Sequence, residues 1–183
     1  MYEYNKNDAL VMVAHPDDCI IYAYGFIKCN PQFNWKICYL THQARSLRGY
    51  EMTDFWTARN IPVRFLGFKD NGEDIETDTL SFDTVAARNA IRLQLYGKKI
   101  VMTHNNYGDY GHIHHKFVND CCRQFPRLVT FLGNDVCRIQ EKDHYDINEI
   151  PLHYKKYNES VKPKDIYKYN ITNSIRNLIN LTT

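Results

Sequence analysis

ALVMVAH, residues 9–15, is a short unbroken apolar run ending in a histidine, and PDD, residues 16–18, follows it directly. Such a run without polar alternation fits a strand buried on both faces of a parallel sheet. Pro16 blocks continuation, and Asp17 and Asp18 are turn or helix N-cap residues. Working outward, CIIYAYGFIKC (19–29) reads as helix, with Gly25 and the β-branched residues weakening that reading. WKICYLT (35–41) reads as strand, LRGYEMTDFWTARN (47–60) as helix, VRFLGF (63–68) as strand and DNGED (70–74) as turn. LSFDTVAARNAIRLQLY (80–96) reads as an amphipathic helix with Leu80, Val85, Ala86, Ile91 and Leu95 at roughly helical spacing, stopped by Gly97. KKIVMTH (98–104) is a further buried strand. The polar loop NNYGDYG then leads into a helix, HIHHKFVNDCCRQF, that ends at Pro126, and RLVTFL (127–132) is a fifth strand. Strands alternating with helices imply parallel crossovers and a three-layer α/β sandwich with a mainly parallel central sheet.

A chain of 183 residues suits one domain, with its core over about 8–135. From about residue 140, Lys, Tyr, Asn and Asp dominate, which predicts a C-terminal extension with a short helix near 173–181. With 23 Lys and Arg against 21 Asp and Glu, the charge balance does not point to nucleic acid. There is no apolar run of membrane-spanning length and no basic-then-apolar leader in MYEYNKNDAL, so a cytoplasmic location is expected. The six cysteines form no CxxC pair and read as free thiols in a reducing compartment.

Ligands in open α/β sheets bind beyond the carboxyl ends of the strands. That rule selects the loops at His15 to Asp18, Thr41 to Arg48, Asp70, and His104 to His115. In AHPDD (14–18), imidazole and carboxylate are both zinc ligands, and His15 and Asp18 can reach one ion across a turn set by Pro16. Asp17 then lies beside the ion, where a carboxylate can take a proton from activated water. In GHIHH (111–115), His112 and His115 share one helix face, and His115 can complete a His-Asp-His set with an open fourth position. Each motif also has a plainer reading, the first as a helix-capping turn and the second as a helix start with incidental histidines.

AHPDD (14–18) and THNNYGDYGHIHH (103–115) resemble the two signatures of the PIG-L/LmbE-type zinc-dependent de-N-acetylases. RGYE (48–51) resembles that family's Arg-x-x-Glu helix start, and LGFKDNG (66–72) its strand-then-Asp segment. The resemblance covers roughly residues 8–135. It implies a Rossmann-like fold and hydrolysis of an N-acetyl group from an N-acetylated amino sugar or its conjugate. It also implies Zn2+, or Fe2+ or another divalent ion, held by His15, Asp18 and His115, with Asp17 as general base. His112 would stabilise the oxyanion or protonate the leaving amine. Arg48 would hold a polar or anionic part of the substrate, and His104, Tyr107 and Asp109 would line the pocket mouth. Two positions depart from the family pattern. Cys19 stands where AHPDDE has its Glu, and is expected to be a small buried thiol. His114 stands where GHxDH or GHxEH has an acid, which should alter the tautomer and basicity of His112.

These departures motivate a rival from another class, a non-catalytic zinc- or sugar-binding protein on the same scaffold. A nucleotide-binding domain is disfavoured, because HPDDC lacks the glycines that a phosphate-cradling turn needs. His42, His144 and His153 are expected to be isolated surface or hydrogen-bonded residues. The oligomeric state and the sugar's carrier are not legible.

Overall fold

The computed structural model describes residues 7–70 and 79–131. The expected C-terminal extension, its helix near 173–181, His144 and His153 lie outside the described residues. The elements run β1 (Asp8–Val13), a π-helical turn (Cys19–Ala23), α1 (Tyr24–Cys29), β2 (Asn34–Thr41), α2 (Leu47–Thr57) and β3 (Val63–Phe68). They continue with α3 (Thr84–Leu95), β4 (Ile100–Thr103), α4 (Ile113–Cys122) and β5 (Leu128–Thr130). The five strands form one sheet in the order β3-β2-β1-β4-β5, every pair parallel. Val11 sits between Ile37 and Met102 in the register. This is a Rossmann-like α/β arrangement, as expected.

The apolar strands separate two cores, which makes three layers. Ala9, Val11 and Val13 face Ile20, Phe26, Met52 and Trp56 from α2 and the α1 segment. Leu10, Met12 and Ala14 face Ala87, Ile91, Phe117, Val118 and Cys122 from α3 and α4. Because the chain leaves β1 toward one face and β4 toward the other, a crevice opens between their carboxyl ends. The loops His15–Asp18 and His104–His112 border that crevice. Two cavities, of about 910 and 510 Å3, lie instead by the amino ends of the strands, around Asn34–Lys36 and Gly97–Lys98. They are remote from the histidine cluster.

Two local readings are corrected. The helix expected to begin at Leu80 begins at Thr84, because Asp83 Oδ1 accepts the N–H groups of Val85 and Ala86 at 2.9 and 3.0 Å and so starts the helix there. Its inward face is Ala87 and Ile91, while Val85 is 68% exposed. The helix read as continuous over 19–29 opens as a π turn, a feature frequent at functional sites. Cys19 is fully buried, and Cys38, Cys121 and Cys122 are buried too, all with free thiols. Burial pushes the Cys38 thiol up to about 12 and that of Cys121 up to about 11, so these sulfurs stay protonated and unreactive.

Candidate metal centre

The turn after β1 is closed by its own side chain. Asp18 Oδ2 accepts the His15 N–H at 2.7 Å, which holds the carboxylate beneath the His15 ring. His15 Nδ1 lies 3.3 Å from Asp18 Oδ2 and 3.1 Å from His115 Nε2, and His115 Nε2 lies 3.3 Å from Asp18 Oδ1. Residues a hundred positions apart in the chain therefore meet at one point. All three side chains are almost fully buried. Ligand atoms about 2.0–2.1 Å from a tetrahedral zinc ion stand about 3.3–3.4 Å apart. The three observed separations, measured to the two different oxygens of Asp18, lie near that spacing.

The groups behind the two rings reinforce it. His115 Nδ1 is 2.9 Å from Asp109 Oδ2, and an ionised carboxylate only accepts. The ring proton is thus on Nδ1, and Nε2 turns a lone pair toward Asp18. His15 Nε2 is 3.0 Å from His114 Nδ1. Donation from His15 to His114 frees Nδ1 of His15 in the same way. Burial raises the pKa of Asp18, and positive charge at this point, on the imidazoles of His115, His104 and His15 or on an ion that replaces their protons, outweighs it and holds the carboxyl well below its usual range. Two lone pairs and a carboxylate converge, with the ring protons directed outward, and that arrangement asks for a cation.

Around this point stand two more candidates. Asp17 is half-buried and ion-paired through Oδ1 with Arg48 at 3.0 Å. Arg48 is set by the start of α2, where Ser46 Oγ accepts the Gly49 N–H at 3.0 Å. Gly49 has no substitute there, since a Cβ would stand 2.1 Å from the Gln43 carbonyl oxygen. His112 caps α4, its Nδ1 accepting the His114 N–H at 3.2 Å, so its proton is on Nε2. Burial first, then the neighbouring His15, His115 and His114, push its pKa down to about 3, so the ring is neutral. Nitrogens of His15, His112 and His115 lie within 4.8 Å of one another.

His104 and Asp109 are corrected as residues of the pocket mouth. His104 is fully buried, and the Asp109 side chain is 3% exposed. Asp109 Oδ2 binds His104 Nδ1 at 2.5 Å as well as His115, so Asp109 stands behind the centre and braces both rings, while His104 Nε2 faces Asp18 Oδ2 at 3.4 Å. The loop that carries them is held by Asn105 Oδ1, which accepts from the N–H groups of Tyr107 and Asp109, and by Gly108 at φ +73. A Cβ on Gly108 would meet the His112 carbonyl oxygen at 2.6 Å. Tyr107 is 74% exposed at the rim. Arg48, expected to hold substrate, has its guanidinium on Asp17.

The structure adds three neighbours to the site. His114, which in the sequence stands only where an acid is expected, is buried against His15. His42, read as isolated, has Nδ1 3.7 Å from Asp70 Oδ2. Tyr110 is 62% exposed, with its ring centroid 5.2 Å from that of His115. The selection of loops at strand ends already contained His42, Asp70 and Tyr110. No spacing signal joined them to His15.

No family model matches the chain. Its structural neighbours include a deacetylase and a hydratase. The N,N'-diacetylchitobiose deacetylase from Pyrococcus horikoshii is 17% identical, with 63% of this chain and 48% of that chain covered and a TM-score of 0.47. The 4-carboxy-2-hydroxymuconate hydratase from Pseudomonas putida is 15% identical, with 64% and 55% covered and a TM-score of 0.49. In sequence, the chain is 27% identical over 144 residues to an uncharacterized protein of Acanthamoeba polyphaga mimivirus, with 69% of this chain covered. The match spans 62% of that relative's length.

Proposed function

We propose that this chain is a PIG-L/LmbE-type, divalent-metal-dependent N-deacetylase acting on an N-acetylated amino sugar or its conjugate. The observation that carries the proposal is the convergence of His15 Nδ1, His115 Nε2 and the Asp18 carboxylate at zinc-ligand spacing, with a second carboxylate, Asp17, adjoining Asp18 in the turn. His15, Asp18 and His115 would hold Zn2+, or Fe2+, since nitrogen and carboxylate donors suit either. When bound, the ion would polarise the amide carbonyl and acidify water.

The chain's own groups supply the proton traffic. Asp17 accepts a proton from water as the water oxygen bonds to the acetyl carbon. Arg48 fixes one oxygen of that carboxylate and leaves the other to act. The neutral His112, with its proton on Nε2, donates to the carbonyl oxygen as negative charge builds there. The C–N bond breaks, the proton passes from Asp17 to the nitrogen, and acetate and a free amine leave. The exposed ring of Tyr110 beside His115, with Tyr107 on the same loop, offers an aromatic face to a sugar ring.

The metal-loaded chain should release acetate from at least one member of a panel of N-acetylhexosamine conjugates. Asp17→Asn should keep its metal and lose about a hundred- to ten-thousand-fold in turnover. Unchanged turnover in that variant would remove Asp17 from its role. The Arg48 pair on Asp17 favours a second reading, a zinc- and sugar-binding protein without turnover. Tight sugar affinity with no acetate release across the panel would select it.

A further inference from the structure

The His15 ring has two ends, and the second end also faces a ligand set. His15 Nε2 is 3.0 Å from His114 Nδ1 and 3.7 Å from Asp70 Oδ1, and His114 Nδ1 is 3.7 Å from the same Asp70 oxygen. Two imidazole nitrogens and one carboxylate oxygen thus form a second triangle, assembled from the β1 turn, the end of β3 and the first turn of α4. These separations bracket the spacing of about 3.3–3.4 Å around a tetrahedral ion. His114 is fully buried, Asp70 reaches solvent at its edge, and His42 Nδ1 stands 3.7 Å from the other Asp70 oxygen. The inner side is therefore closed and dry, with a path for an ion from outside. His114 is the residue that departs from the family pattern, so the extra imidazole is a property of this chain.

We infer that this chain holds a second divalent cation, ligated by His15 Nε2, His114 Nδ1 and Asp70, with the His15 imidazole bridging it to the first. The inference rests on the reading of His15 as a ligand of the first centre. As the second ion binds, the proton that His15 Nε2 donates to His114 is released to solvent, and each ring nitrogen then faces one cation. Zinc or copper(II) suits a site of imidazoles and one carboxylate.

The full chain, stripped with a chelator and dialysed to saturation against zinc, tests this by elemental analysis. The unaltered chain should hold about two ions. Asp70→Asn and His114→Gln should each hold about one, and so should Asp18→Asn, which keeps the second site. Asp70 is partly exposed and asparagine matches its shape, so this variant stays informative even if the buried His114→Gln fails to fold. A ratio of about one in the unaltered chain, lost in Asp18→Asn but kept in Asp70→Asn, overturns the second site and leaves the proposed enzyme standing. A ratio of one that is kept in both Asp18→Asn and Asp70→Asn, or a ratio of zero, overturns both. Two ions persisting in Asp70→Asn also overturn the second site.

Discussion

Replacing Asp109 by asparagine tests whether the centre is braced from behind. The Asp109 carboxylate accepts from His115 Nδ1 at 2.9 Å and from His104 Nδ1 at 2.5 Å, and neither ring has any solvent exposure. Both rings reach the same oxygen, Oδ2, so an asparagine oxygen there gives the two donors a neutral acceptor in place of a charged one, and its NH2 opposes the Asn105 N–H that Oδ1 accepts at 3.4 Å. A buried donor left unpaired costs about 1–3 kcal/mol. Asp109→Ala leaves both unpaired, for about 2–6 kcal/mol. The asparagine also tolerates the left-handed backbone at φ +62, so the loop itself is not the cause of the change. The functional effect follows from the tautomer. With only a neutral acceptor behind it, His115 carries its proton on Nε2 more readily, and the lone pair that faces Asp18 is then lost. Partners behind metal ligands are worth about 10–100-fold in affinity, or about 1.4–2.7 kcal/mol. Zinc affinity by chelator competition and urea unfolding of the metal-free chain measure the two effects. Affinity and stability both unchanged in Asp109→Asn would refute the bracing role.

Three further outcomes follow from packing. Gly49→Ala should lose about 1–3 kcal/mol or more in urea unfolding, because the new methyl would stand 2.1 Å from the Gln43 carbonyl oxygen and 2.8 Å from that of Ala44. Ile91→Ala should lose about 2–5 kcal/mol, since the side chain is wholly buried between α3 and the sheet. Val85→Ala, on the same helix but exposed, should change stability by less than about 0.5 kcal/mol, and equal losses at the two positions would refute the observed face.

The central strands β1 and β4 were legible because each is an apolar run bounded by turn residues and buried on both faces, whereas the edge strand β3, exposed at Arg64 and Gly67, was legible from its aromatic residues and the turns that flank it. Both halves of the proposed ligand set were also legible as neighbours, since His15 and Asp18 lie in the turn after β1 and His115 in the first turn of α4 after β4, which the parallel sheet brings to one edge. The face of α3 was not, because Asp83 starts the helix later than the apolar pattern suggests. The position of His104 was hidden for a different reason. Its ring accepts the Ala14 N–H across a separation of 90 residues, and nothing local distinguishes a buried brace from a residue at the mouth. His42 and Asp70 escaped likewise, since their nearness to His15 depends on where β2 and β3 end.

Crystals of the zinc-loaded chain, with diffraction recorded at the zinc absorption edge, test the central claim most directly. The account predicts an anomalous peak about 2.0–2.2 Å from His15 Nδ1, His115 Nε2 and an Asp18 oxygen. Bound zinc with no peak at that point, or a peak reached by only one of the three side chains, would contradict it.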